Sequence, residues 1–221
     1  MARADARLGA RPGAADRPGA VRWVARGALV TAPPRNAVIV HGTCDRAEYF
    51  GPQYPSLSNS HWLPWIRKEL LSAGVHAQTP EMPQAYEPVY PLWKRELDRF
   101  DVDDGTLLIG HSCGAGFLLR WLGETRVRAA KLILVAPWID PERERTRDFF
   151  DFAIDPALGQ RVRAVHLMVS SDDHPSVLRS ADAIAAALPG LVRHRFETLG
   201  HFTAADLGGD AFPQLREIAL G

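Results

Sequence analysis

The chain has 221 residues, of which 46% are hydrophobic and 24% charged, and Lys plus Arg equals Asp plus Glu at 26 each, so its formal net charge is zero. That composition fits one ordinary globular core, and the absence of a long basic block argues against nucleic-acid binding. No stretch approaches the roughly 20 apolar residues of a membrane span, and two cysteines, Cys44 and Cys113, make neither a disulfide framework nor a metal-ligand spacing; a soluble protein in a reducing, cytoplasmic setting is expected.

Residues 1–20 are almost entirely Ala, Arg, Gly, Pro and Asp, too little apolar surface to fold, and predict a disordered tail. Residues 21–31 are apolar enough to dock as an extra strand or helical turn before Pro33-Pro34, so 1–35 is read as a tail and 36–221 as the domain. From there apolar strand-like runs (37–40, 75–79, 106–109, 131–135, 165–169, 192–199) alternate with helical patterns (61–73, 89–100, 115–122, 177–188, 211–220). In 61–73 Trp62, Trp65, Ile66 and Leu70 share a face and Gly74 supplies the stop; in 177–188 the face is Val177, Ala181, Ile184 and Leu188. The alternation predicts right-handed βαβ units and a mostly parallel sheet with helices on both faces.

Gly110-His111-Ser112-Cys113-Gly114 is a G-x-S-x-G pentapeptide between the run 106–109 and the helical run 115–122. Strand, sharp turn and helix follow in the order that exposes a serine nucleophile at a sheet's carboxyl edge. There the Cys113 N–H points toward a developing oxyanion. Two further sites follow strand-like runs: Asp172-Asp173 after 165–169, and His201, between Gly200 and Phe202, after 192–199. Ser112, then Asp172 or Asp173, then His201 is the chain order of α/β-hydrolase triads. The loop after the first core strand, His41-Gly42-Thr43-Cys44, is expected to supply a second oxyanion donor; Gly42 permits close approach, and the Thr43 N–H is the candidate, with Gly42 and Cys44 as near neighbours. Asp172 and His174 lack a third ligand, so no metal is expected, nor any other cofactor.

These residues resemble the small single-domain α/β-hydrolases similar to the retinoblastoma-binding serine hydrolase. The resemblance runs over about 37–220. It rests on the VIVHG run ending at Gly42, the HWLPW run at 61–65, Met82-Pro83, the helix around Trp93, the elbow at 109–115, Ser171-Asp172-Asp173 and Gly200-His201-Phe202. It implies an α/β-hydrolase fold without a large lid, acting on esters or amides through a Ser-Asp-His triad, with the second aspartate, Asp173, as its acid.

The expected function is a serine hydrolase cleaving a carboxylic ester, thioester or activated amide through acyl-Ser112, its partner a small molecule and its state a monomer or small homo-oligomer. A catalytically silent binding protein and an acyltransferase using the same residues are the alternatives. Residues 137–156 break the strand-helix rhythm. Their charged half reads as a solvated face, and Phe149 and Phe150, with Gly42 and His111, as the walls of an acyl pocket; Trp138, Tyr49 and Tyr54 are further rim candidates.

Overall fold

A computed structural model describes residues 33–221. The expected tail lies outside the described residues except for 33–35. There Pro34 is buried, and Arg35 donates its N–H to Gly105 O at 2.9 Å and its guanidinium to Asp103 at 2.6 Å.

The elements in chain order are β1 (Asn36–Val40), α1 (Arg46–Phe50), α2 (Leu63–Ser72), β2 (His76–Gln78), α3 (Tyr90–Leu97), β3 (Thr106–His111), α4 (Cys113–Thr125) and β4 (Ala129–Val135), followed by α5 (Leu158–Arg161), β5 (Val162–Ser170), α6 (Pro175–Ala187), β6 (Val192–Phe196), α7 (Ala204–Leu207) and α8 (Pro213–Leu220). Every strand and helix expected from residue 36 onward is present, with shifted ends; the extra strand or turn expected over 21–31 lies outside the described residues. The helix expected from residue 61 begins at Leu63, because His61 has φ 55°, a left-handed conformation that no α-helix continues. The expected strand over 192–199 stops at Phe196, where the chain turns toward His201. The short helices α1, α5 and α7 bury too little apolar surface to leave a periodic trace in the sequence.

The six strands form one parallel sheet in the order β2-β1-β3-β4-β5-β6. Strands β3 and β4 are buried along their whole length, which explains their continuous apolar runs. The chain leaves β1 toward one edge and returns across it to reach β3. Right-handed crossovers therefore put α2 on one face and α3, α4 and α6 on the other. On the first face α8 returns beside α2, with Arg216 on Glu69 at 2.7 Å, while the buried Lys131 of β4 caps α8 by donating to Ile218 O at 2.6 Å. On the second, Trp121 of α4 donates to Asp98 at the end of α3 at 2.8 Å. Trp62, Trp93, Phe117, Phe202 and Phe212 are among the largest fully buried side chains. The direction of connection reverses between β1 and β3, and such a switch point opens a crevice beyond the strand ends. Val40 pairs with Gly110 and His111 with Val135, so the loops that follow β1, β3 and β4 converge there.

Candidate active site

Ser112 sits between β3 and α4 with φ 53° and ψ −120°, a strained conformation for a residue with a Cβ. Its backbone is held on both sides. The N–H donates to Val135 O at 2.9 Å, and its carbonyl accepts from Ala115 at 3.0 Å and Trp138 at 3.1 Å. Both glycines of the pentapeptide are required by close approach. A Cβ on Gly110 would lie 2.5 Å from Ala115 Cα, and one on Gly114 would lie 2.3 Å from His41 O. The absence of these two side chains lets α4 start hard against β1 and β3 and leaves the Ser112 side chain on the cleft.

Asp173 follows β5 and is nearly buried; both carboxylate oxygens lie 3.0 Å from His201 Nδ1. Asp172 faces elsewhere, accepting from the Ser170 hydroxyl and from Gly200 N–H at 3.0 Å. The Ser170 hydrogen bond, then that of Gly200, holds the Asp172 carboxyl below the usual carboxylate range. The two aspartates that the residue pattern left open have different positions: Asp173, the acid implied by the family resemblance, meets the imidazole, and Asp172 ties the end of β5 to the loop carrying it. That loop is also fixed by Phe202, which is buried between Phe196 and Phe212, and by Asp206, which accepts from His201 N–H and Thr203 N–H at 3.0 Å each. His111 Nε2 donates to His201 O at 2.9 Å, and burial holds the His111 ring neutral, well below its usual pKa.

Gly42 lies against the nucleophile: a Cβ there would be 3.1 Å from Ser112 Cβ and 3.7 Å from its Oγ. Thr43 follows Gly42 and Cys113 follows Ser112, so the two candidate N–H donors belong to the residues next to this close approach. Burial pushes the Cys113 thiol far up; burial and the carboxylates of Glu48 and Asp45 push Cys44 up to about 11, so neither is a thiolate.

The cleft holds about 750 Å³ and is lined by Thr43, Ser112, Asp173 and His201, with Tyr86, Trp138, Arg145 and Val177 on its walls. A recess of about 250 Å³ that Ser112 also lines is bounded by Gly42, His61 and His111 among others. Phe149 and Phe150 do not line the cleft, which corrects the expectation for residues 137–156. Phe149 is 1% exposed and meets Trp93 edge-on at 5.1 Å; Phe150 packs on Trp138 at 5.6 Å and fills the space that Gly116 leaves open. Arg120 of α4 fixes the segment by donating to Phe149 O at 2.9 Å. The charged half, read as a solvated face, instead supplies Arg145 and Thr146 to the wall. Of the rim candidates, Trp138 lines the cleft, Tyr49 packs on Tyr86, and Tyr54 is exposed. Among the described residues no group of three or more His, Cys, Asp or Glu side chains is placed to hold a metal, and no helix is long and apolar enough to cross a membrane.

Against known proteins, residues 50–218 match the serine hydrolase family. The YdeN protein of Bacillus subtilis (strain 168), described as a hydrolase, is 34% identical over 77 residues, a match that spans 34% of this chain and only 40% of YdeN. The crystal structure of the ydeN gene product superposes over 83% of this chain and 96% of its own, with a TM-score of 0.70 and 25% identity. Est1E from Butyrivibrio proteoclasticus shares the fold at TM-score 0.55 and 13% identity, over 84% of this chain and 89% of that one. With the family match covering most of the chain and the sheet following the α/β-hydrolase plan, the chain belongs to the serine hydrolase family and is a hydrolytic enzyme.

Proposed function

We propose that the chain hydrolyses a carboxylic ester, thioester or activated amide through an acyl-Ser112 intermediate. The observation that carries this reading is the Asp173 carboxylate, both oxygens 3.0 Å from His201 Nδ1, in the cleft that Ser112 also lines. A carboxylate there makes Nδ1 the protonated nitrogen and leaves Nε2 as the base. His201 Nε2 takes the Ser112 proton as Oγ adds to the substrate carbonyl carbon. The oxyanion receives the N–H groups of Cys113 and Thr43; Cys113 is the first residue of α4, so its N–H has no partner within the helix, and the helix dipole favours negative charge at that end. Collapse expels the alcohol, thiol or amine, which leaves with the proton held by His201. Water then adds to the acyl carbon with His201 as base, releasing the acid and restoring Ser112.

A fluorophosphonate probe tests the reading. It is expected to label the wild-type chain and not Ser112→Ala; labelling retained in Ser112→Ala overturns it.

A further inference from the structure

The cleft wall opposite charge types is lopsided. It carries four aspartates, and each is already engaged: Asp45 accepts from Glu48 N–H at 2.7 Å, Asp172 from Ser170 and Gly200, Asp173 faces His201, and Asp206 accepts from His201 and Thr203. Arg145 is the permanent cation among the lining residues, and among the described residues its guanidinium has no hydrogen bond or ion pair. Its neighbours are paired: Arg143 with Asp151 at 3.8 Å, Arg147 with Glu87 at 3.9 Å, and Arg179 with Glu142.

The backbone that carries Arg145 is built to stay in place. Asp140, 3% exposed and at φ 47°, turns its carboxylate into the loop that follows. It accepts from the N–H groups of Glu144 at 3.2 Å, Arg145 at 3.0 Å and Thr146 at 2.6 Å, and from the Thr146 hydroxyl at 2.8 Å. A solvated charged loop needs no such internal anchor. A buried carboxylate satisfied by four donors instead fixes the position from which the Arg145 side chain extends, which lowers the ordering cost of binding.

Resting on the acyl-Ser112 reading, we propose that Arg145 recognises a carboxylate on the substrate, so that the esters or amides cleaved at Ser112 bear an acid group in addition to the scissile bond. The planar guanidinium fork matches a carboxylate bidentately. The aspartates around the cleft disfavour a multiply charged group such as a phosphate, which would meet their repulsion, and leave a single negative charge as the better fit to one arginine.

The test compares p-nitrophenyl butyrate, which is neutral, with the mono-p-nitrophenyl ester of glutaric acid, which ends in a carboxylate. For each chain the ratio of kcat/KM for the glutarate ester to that for the butyrate ester is measured. Loss of one charge-assisted pair predicts that Arg145→Ala lowers the ratio by roughly 10- to 100-fold relative to wild type, with the change in KM, and that Arg145→Glu lowers it further. Added salt should lower the ratio in wild type and not in Arg145→Ala, where only the repulsion of the aspartates remains to be screened. A ratio that moves by less than about threefold in both variants, while Ser112→Ala abolishes turnover, overturns the role of Arg145 and leaves the acyl-Ser112 reading standing. No turnover of either ester together with no fluorophosphonate labelling of Ser112 overturns the acyl-Ser112 reading itself, and this inference with it.

Discussion

His41 offers a way to test the proposed oxyanion site without touching any group that meets the substrate. It is 1% exposed; its Nε2 accepts from Met82 N–H at 2.8 Å, which makes Nδ1 the donor, and Nδ1 gives its hydrogen to Gly42 O at 2.7 Å. Burial keeps the ring neutral, lowering its pKa against the opposing pull of the Gly42 hydrogen bond and the Glu81 charge. The described peptide bonds are all trans, so the Gly42 carbonyl and the Thr43 N–H point in opposite directions across one plane. By holding the carbonyl, His41 aims the Thr43 N–H. Two substitutions divide its hydrogen bonds. Asn places an amide donor near the position of Nδ1, so His41→Asn keeps the donation to Gly42 and orphans the Met82 N–H. Gln reaches the position of Nε2, so His41→Gln keeps an acceptor for Met82 and releases the Gly42 carbonyl. Each leaves one buried backbone group unpaired, at a cost of about 1–3 kcal/mol in stability. Their rates should differ. Losing an oxyanion donor costs about 2.7–4 kcal/mol in the barrier, and a donor that is only misaimed falls at the low end, so His41→Gln should lower kcat by about 100-fold with KM changed less than about twofold. His41→Asn should stay within about tenfold of wild type. Steady-state hydrolysis of a p-nitrophenyl ester, with urea unfolding of each variant, measures both quantities. Equal kcat in the two variants, or a fall in His41→Gln no larger than its unfolded fraction, would refute the reasoning.

The two aspartates separate in the same assay: Asp173→Asn should lower kcat by about 10⁴-fold, because the amide no longer fixes the imidazole tautomer, while Asp172→Asn should stay within about tenfold. A comparable loss in both would contradict the difference in their positions. Phe149→Ala should lower the unfolding free energy by about 3–5 kcal/mol through a core cavity and leave acyl chain-length preference among model esters unchanged; a shifted preference with little loss of stability would return Phe149 to the pocket wall. Burial, with the nearby His194 and Lys131, holds His166 down to about 3, and burial also lowers His194, His41 and His111. The unfolded chain, whose histidines titrate near 6.5, therefore binds more protons below that pH than the folded chain does. Stability contributed by these groups is present above about pH 6.5 and is lost as the pH falls below it. Urea midpoints measured from pH 7.5 to 4.5 should decline over that window; a flat profile would show that the buried rings are not held neutral.

The sequence by itself determined the alternating strand and helix pattern and the strand-turn-helix at Ser112. It also identified the acids and the histidine at later strand ends, because these depend on periodicity and on residue types within a few positions of one another. The residue pattern alone could not tell Asp172 from Asp173; only the family resemblance favoured Asp173. Both follow the same strand, and their difference lies in partners, Gly200 and His201, that the β5–β6 pairing brings across from about 28 residues away. Nor did it sort residues 137–156, where apolar character suggested a pocket wall and charge suggested solvent. Only the folded chain has the space over Gly116 and beside Trp93 that takes the phenylalanines inward, and the buried Asp140 that turns Arg145 onto the cleft. Burial of an irregular segment follows the volume that other elements leave for it, and that volume exists only after the sheet and its helices have assembled.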